Sequence, residues 1–170
     1  MLRIAVQSKG RLFDDTMNLL AEADIKISSG RRTLLVQSGN FPLEVLYLRD
    51  DDIPQSVASG VADIGVVGEN EFVERNEDAD IISRLGFSKC RLSLAIPKDI
   101  DYRGVNWFNG KKIATSYPHI LKKYLDEQGL VLRFMSSRVQ WKSAQASDWP
   151  TVSSISSAAV LHWLATTCAR

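Results

Sequence analysis

The chain has 170 residues, of which 45% are hydrophobic, so it can bury one ordinary core or two small lobes and is not expected to be disordered. Its 21 Lys and Arg against 20 Asp and Glu give a formal net charge of +1, which argues against a dedicated nucleic-acid-binding protein. The two cysteines have no CxxC spacing, and no signal peptide or membrane-spanning stretch is evident. We expect a cytoplasmic globular protein without a nucleic-acid or membrane partner.

Short apolar runs alternate with amphipathic ones over the first 130 residues, which is typical of an α/β fold with a largely parallel sheet. The strand-like apolar runs are Leu2–Val6, Thr33–Gln37, Leu43–Leu48, Ala62–Val67, Cys90–Ile96 and Lys112–Ala114. The predicted helices are Asp14–Ala23, Asp52 to about Ser59, Glu69 to about Arg75, and Pro118–Gln128. The turn-rich segment 38–42 predicts a hairpin between the second and third strands.

Helix boundaries are indicated by particular residues. Asp52 is a candidate N-cap with Pro54 in the following first turn. Gly60 is expected to end that helix, and Gly129 is expected to cap the C-terminus of the last one.

Lys9, Gly10 and Arg11 directly follow the first predicted strand. In open α/β sheets, ligands bind at the carboxyl ends of the strands. Gly10 would allow close backbone approach, while the two cations could bind a phosphate. The alternative interpretation is a solvated surface turn.

Three consecutive carboxylates, Asp50 to Asp52, follow the third predicted strand. Such a run is costly through mutual repulsion unless it is solvated or paired with cations or a metal ion. Arg49 is the obvious local partner. A helix cap would explain Asp52 but not its two neighbours.

Two further turns carry polar groups at predicted helix N-termini. Glu69 and Asn70 follow the fourth strand, where a polar ligand could bind, although a tight strand-to-helix turn explains them equally well. Thr115 and Ser116 could hold an anion or serve as an ordinary cap. The only histidines, His119 and His162, pair with no nucleophile, so a catalytic triad is not predicted.

Five segments together resemble the N-terminal part of the ATP phosphoribosyltransferase family over roughly the first 130 residues. They are QSKGRL (7–12), RDDDIP (49–54), GVADIGVVGENEF (60–72), CRLSLA (90–95) and GKKIATSYPHILKKYL (110–125). The resemblance implies a two-lobed fold like that of type II periplasmic binding proteins, with the active site in the cleft between lobes. It assigns 1–92 to lobe one and 93–130 to the start of lobe two, with the fold incomplete at the C-terminus.

The resemblance also implies an activity and its partners. ATP and 5-phosphoribosyl 1-pyrophosphate condense to N1-(5-phosphoribosyl)-ATP and pyrophosphate, with Mg2+ accompanying the second substrate. This displacement depends on positioning and charge neutralisation, so no residue is assigned as a catalytic nucleophile and no protein-held metal is expected. The family forms homo-oligomers, or pairs with a regulatory subunit in its short form.

The resemblance places site residues in three groups. The nucleotide and phosphate loop would contain Lys9, Gly10, Arg11 and Leu12. The cleft would be lined by Asp50, Asp51, Asp52, Glu69 and Asn70. Arg91 resembles a cation at the crossover between lobes, and the rim of lobe two would contain Thr115, Ser116 and Tyr117.

One diagnostic family segment, GLADAIxDxVxSGxTL, which holds the 5-phosphate, is missing from this chain. The codons of the tail encode it when each new codon starts at the third base of the existing one. Trp141-Lys142 then forces Glu, Asp148-Trp149 forces Leu, and Trp149-Pro150 forces Ala. The shifted text permits GSVEI…IGLADGIVDIVSGS.

We therefore expect a frameshift, genuine or from sequencing, near Leu130 to Phe134. Residues 131–170 would then be out of frame, with no domain and no function assigned. The chain is also expected to stop before the family's return strands to lobe one. A competing interpretation is an inactive fragment that retains at most adenine-nucleotide binding. A small-ligand-binding protein of the same shape is a third, but such proteins normally carry a secretion signal.

Overall fold

The computed structural model describes residues 1–28, 33–96, 100–130, 133–136 and 152–156. The chain divides into two compact units, Met1–Lys89 and Cys90–Arg170. The strands are β1 (Leu2–Gln7), β2 (Leu35–Gln37), β3 (Leu43–Leu48), β4 (Ile64–Gly65), β5 (Leu92–Ala95), β6 (Lys112–Thr115), β7 (Arg133–Ser136) and β8 (Val152–Ser156). The helices are α1 (Arg11–Glu22), α2 (Ile53–Ala58), α3 (Glu69–Arg75) and α4 (Pro118–Glu127).

The sheet of the first unit has the order β2-β3-β1-β4. Strand β1 pairs in parallel with both β3 and β4, so the expected largely parallel α/β arrangement is confirmed. Strand β2 pairs antiparallel with β3, which confirms the predicted hairpin. The fourth predicted strand is wrong in length, because only Ile64–Gly65 joins the ladder.

Helices α1 and α2 cover opposite faces of this sheet. Ile4 and Val6 pack in one cluster with Leu20 of α1, whereas Ala5 packs in another with Ile53 of α2. Successive residues of a strand point to opposite faces, so burial of all three strand residues requires a helix on each side. The unit is therefore a doubly wound sheet built around β1.

The order of the strands creates a switch point at the carboxyl end of β1. The chain passes from β1 to β3 on one side and then crosses through α2 to β4 on the other. Ligand-binding crevices in open α/β sheets form where such a reversal occurs. The backbone N–H of Ser8 donates to the carbonyl of Leu48 at 2.9 Å, which ties the ends of β1 and β3 together.

The first helix begins at Arg11, earlier than the predicted Asp14. Gly10 precedes it with φ +99° and ψ −178°, a conformation that glycine adopts readily and other residues do not. Its carbonyl accepts a hydrogen bond from the N–H of Asp14 at 3.1 Å, so the first turn already forms over Arg11.

The predicted side-chain cap at Asp52 is wrong. Residues Asp50–Asp52 form a 3₁₀ turn that continues directly into α2, and Asp52 keeps helical angles with φ −93° and ψ −15°. A capping side chain needs an extended backbone at this position to reach the following amides. Pro54 does lie in the first turn of α2, as expected.

The predicted glycine ends of α2 and α4 are confirmed. Gly60 and Gly129 each follow the C-cap residue with a positive φ, of 74° and 69° respectively. The N–H groups of Gly129 and Leu130 bond to the carbonyls of Asp126 and Leu125, which satisfies acceptors at the end of α4.

The sheet of the second unit has the order β5-β8-β6-β7. Strand β6 is parallel to β7 and β8, and β8 is antiparallel to β5. The buried core beside it contains Phe108, Ile113, Leu121, Leu125 and Leu130. Strands β7 and β8 fall within 131–170, the span that the codon analysis assigns to a shifted frame, and the rest of that span lies outside the described residues. In the described part of the chain, every helix is too short or too polar to cross a membrane.

Close packing of α2 on β4 predicts a destabilising substitution at Gly65. A Cβ atom there would lie 2.6 Å from Cγ2 of Ile53 and 3.0 Å from Cγ2 of Val57. Gly65→Ala should therefore lower the free energy of unfolding by about 1–3 kcal/mol, as overpacking in a core does. Urea denaturation measures the difference. Gly39→Ala is the matched control, because nothing lies within 4 Å of its added Cβ; equal stability of the two variants would contradict the tight contact.

Candidate functional site

Three polar turns of the first unit lie at one edge of its sheet. Residues 9–12 follow β1, 50–52 follow β3, and 69–70 begin the helix after β4. Because these three strands are parallel, their carboxyl ends share an edge. The structure thus brings together nine of the predicted site residues.

The first turn supplies cations beside a helix N-terminus. Lys9 and Arg11 are exposed, and Leu12 is half-buried. Arg11 and Leu12 belong to the first turn of α1 rather than to a loop. The guanidinium Nη2 of Arg11 donates to the carbonyl of Lys89 at 3.2 Å. Two cations next to the positive end of a helix dipole form a site that attracts an anion.

The second turn carries the three consecutive carboxylates. The middle one, Asp51, accepts a hydrogen bond from Nη2 of Arg75 at 3.1 Å. The expected pairing with Arg49 is therefore wrong, because the 3₁₀ turn places Asp51 within reach of α3 instead. Asp50 is half-buried and Asp52 exposed, and the side chains of both lack hydrogen bonds and ion pairs within the described residues.

Helix α3 contributes charged groups that are not among the predicted site residues. Glu71 and Glu74 are buried, and an oxygen of Glu71 lies 3.8 Å from Nε of Arg75. The spacing of four residues between Glu71 and Arg75 is a helix ion-pair pattern that could have signalled this contact. No such sequence pattern indicates the contact between Arg75 and Asp51, which are far apart in the sequence.

The third turn contains Glu69, which is paired with Arg84. Nη2 and Nε of Arg84 donate to the two carboxylate oxygens at 2.9 and 3.3 Å. The hydrogen bond and then the charge of Arg84 lower the pKa of Glu69 below its ordinary value. Both side chains are exposed, so solvent screens the pair and a ligand could replace it. Arg84 lies outside helices and strands, where no periodicity pointed to it.

The remaining predicted site residues belong to the second unit. Arg91 is exposed and directly precedes β5. Oγ1 of Thr115 accepts a hydrogen bond from the N–H of Tyr117 at 2.9 Å, and both residues are buried. A local turn thus accounts for Thr115. Ser116 is exposed, which leaves its hydroxyl as the accessible one in this turn.

The acidic groups do not converge into a metal-binding cluster. Within the described ranges, no three His, Cys, Asp or Glu side chains lie close enough to hold one ion. The residues present in this part of the chain therefore do not fit a protein-held Mg2+ site, and we assign no step to such a site.

Comparison with known proteins adds a family match. The model of the family described as HisG: ATP phosphoribosyltransferase matches residues 49–140. An ATP phosphoribosyltransferase of Phocaeicola vulgatus is 76% identical over 130 residues, and one of Bacteroides thetaiotaomicron is 74% identical over 130 residues. Each alignment covers 76% of this chain and 46% of the relative, so the chain spans less than half the length of these curated relatives.

A solved structure supports the fold. The ATP phosphoribosyl transferase (HisG:HisZ) complex from Thermotoga maritima contains a chain that matches with a TM-score of 0.69 and 24% identity. The match covers 94% of this chain and 76% of that one. At this identity, the likeness is informative about the fold alone.

The Arg84–Glu69 pair predicts a shift that can be titrated. Arg84→Gln should raise the pKa of Glu69 toward its ordinary value, measured by carbon-13 NMR of the carboxylate. Because the folded-state pKa is lowered, the pair stabilises the fold above the pKa of the unfolded state. That contribution is lost as the pH falls through the folded pKa.

Arg103→Gln is the matched control, because it removes another solvent-exposed arginine–carboxylate pair, the one with Asp101 in the second unit. It should leave the Glu69 titration unchanged. An identical Glu69 midpoint in Arg84→Gln and the unsubstituted chain would contradict the assignment.

Proposed function

The chain belongs to the ATP phosphoribosyltransferase family, and on that basis we propose that the protein, read in an intact frame, condenses ATP with 5-phosphoribosyl 1-pyrophosphate. The products are N1-(5-phosphoribosyl)-ATP and pyrophosphate, and the reaction is the first step of L-histidine biosynthesis. The identity of 76% to a curated member over 130 residues is the observation that carries the proposal. We propose cytoplasm as the location.

The reaction needs charge control more than a protein nucleophile. Adenine N1 forms a bond to C1 of the ribose while the bond from C1 to the pyrophosphate oxygen breaks, and the electron pair leaves with pyrophosphate. Carbon at this position tolerates positive charge, so catalysis rests on aligning the two substrates and stabilising the leaving group. Mg2+ enters as a counterion carried by the pyrophosphate of the substrate.

We assign the substrate contacts by charge. Lys9 and Arg11, with the N-terminal amides of α1, are suited to phosphate oxygens. The carboxylates of Asp50, Asp52 and Glu69 are suited to ribose hydroxyls or the adenine amino group, which are donors. A nucleotide carries both anionic phosphates and hydrogen-bond donors. Cations and carboxylates at the same edge of the sheet can therefore bind the two kinds of group.

The second unit also carries groups that suit an anionic substrate. Its exposed groups, the Arg91 guanidinium and the Ser116 hydroxyl, can each donate to an anionic oxygen. Assembly into a homo-oligomer or with a regulatory subunit is also proposed. The Thermotoga maritima complex, whose description pairs HisG with HisZ, is the example that supports the second arrangement.

We further propose that the codons after about Leu130 are shifted. The relatives align over 130 of the 170 residues, and the shifted codons permit the family's phosphate-binding segment. Sequencing the gene around codons 128–140 tests this directly.

Restoring the frame should create activity. The chain as written is expected to yield no product, because the missing cradle would supply several charge-assisted hydrogen bonds worth about 1.5–3 kcal/mol each. The assay follows formation of N1-(5-phosphoribosyl)-ATP by both proteins at equal concentration. Product from the chain as written would contradict the frame proposal, whereas no product from either protein would contradict the activity.

Arg11→Ala in the frame-restored protein should lower kcat/KM by about 10- to 100-fold, the effect of losing a charged contact to phosphate. Circular dichroism should remain normal, since Arg11 is exposed. Lys26→Ala is the control: Lys26 is an exposed cation after α1, and its carbonyl is bonded to Gly39 near the opposite edge of the sheet. Equal kinetics for the two variants would assign Arg11 to the solvated surface instead.

A further inference from the structure

Arg75 connects two of the three turns that form the candidate site. It is the last residue of α3, whose first residue is Glu69, and it binds Asp51 of the acidic turn after β3. The turns after β3 and β4 are thus linked across the end of β1 by one helix and one ion pair.

Arg75 lies between two carboxylates, and the shorter of its two ion pairs is the one with Asp51. Its Nε atom is buried and has no hydrogen-bond acceptor in the described part of the chain, and a carboxylate oxygen of Glu71 lies 3.8 Å from it. The side chains of Arg75 and Asp51 are each about two-thirds buried, with exposed fractions of 32% and 33%. This pair is therefore less screened by solvent than the exposed Arg84–Glu69 pair.

The ion pair between Arg75 and Asp51 changes the charge that surrounds Asp50 and Asp52. Three adjacent negative charges in one 3₁₀ turn repel each other, and Arg75 offsets one of them. Asp50 and Asp52 are the two carboxylates of this turn whose side chains are left without an ion pair among the described residues.

We propose that Arg75 is a positioning residue: by binding Asp51, it fixes the acidic turn so that Asp50 and Asp52 accept hydrogen bonds from the hydroxyl or amino groups of the substrate. Arg75 itself does not contact the substrate. The inference rests on the proposed condensation of ATP with 5-phosphoribosyl 1-pyrophosphate. It assigns a role in that reaction to Arg75, which lies outside the three turns.

Kinetics of the frame-restored protein test the positioning role. Arg75→Gln should raise KM for at least one substrate by about tenfold with a much smaller change in kcat, because it disturbs binding groups and not the reacting atoms. Adding Asp51→Asn to Arg75→Gln should lower that KM again, since it removes the unpaired central charge. Unchanged KM values in Arg75→Gln, or a double variant worse than the single one, would overturn the proposal.

Arg3→Gln is the matched control. It breaks a pair with Glu44 whose atoms are 2.9 Å apart, but Arg3 and Glu44 lie near the amino ends of β1 and β3, away from the turns. Arg3→Gln should leave both KM values unchanged. A rise in KM equal to that of Arg75→Gln would show that any broken ion pair has this effect and would overturn the proposal.

Hydrogen exchange on the 170-residue chain gives an answer that does not depend on activity. The N–H of Asp52 is bonded to the carbonyl of Arg49 at 3.1 Å and reports on the turn. Its exchange should accelerate by about fivefold or more in Arg75→Gln and slow again in the double variant. Unchanged exchange overturns the positioning role, while a frame-restored protein without product contradicts only the proposed function.

Discussion

Parallel pairing of β1 with both β3 and β4 is the constraint on which the site depends. It brings three turns to one edge, although the turns after β3 and β4 lie about forty and about sixty positions beyond the turn after β1. Burial of β1 on both faces makes the arrangement rigid, since a shift of one residue would exchange the side chains that face α1 and α2. The polar turns can therefore vary in charge without altering the framework that positions them.

Charge at this edge is organised by arginines from outside the turns. Arg75 and Arg84 lie at the end of α3 and in the segment after it, and each binds one carboxylate of the edge. The two pairs differ in exposure, so solvent screens the Arg84–Glu69 pair more strongly than the Arg75–Asp51 pair. The cations of the β1 turn remain exposed beside the helix dipole. At the carboxyl edge of the sheet, the cationic donors thus lie in the turn after β1, and the carboxylate acceptors lie in the turns after β3 and β4.

Local sequence patterns predict most of the helices and strands up to residue 130 but not their tertiary partners. Alternating apolar runs located the strands, and Gly60 and Gly129 located helix ends, because these signals depend on neighbouring residues alone. The start of α1 was misplaced, since the positive φ of Gly10 is not visible in composition. Arg49 is the obvious partner of the carboxylates in the sequence, whereas Asp51 binds Arg75, because sequence proximity does not reveal which helix packs against a turn. The family motifs supplied the positions of the candidate site, which periodicity alone does not distinguish from other surface turns.

Both outer strands of the first sheet are very short, and this limits pairing of the sheet with strands of other molecules. Strand β2 has three residues and β4 has two, so each presents few backbone donors and acceptors to a neighbouring molecule. Long, flat outer strands invite intermolecular β-pairing and fibril growth. The longest strands of this sheet, β1 and β3, are its two central strands, so their backbone groups are already paired within the sheet. The unit can thus carry a strongly apolar centre without an edge that recruits further chains.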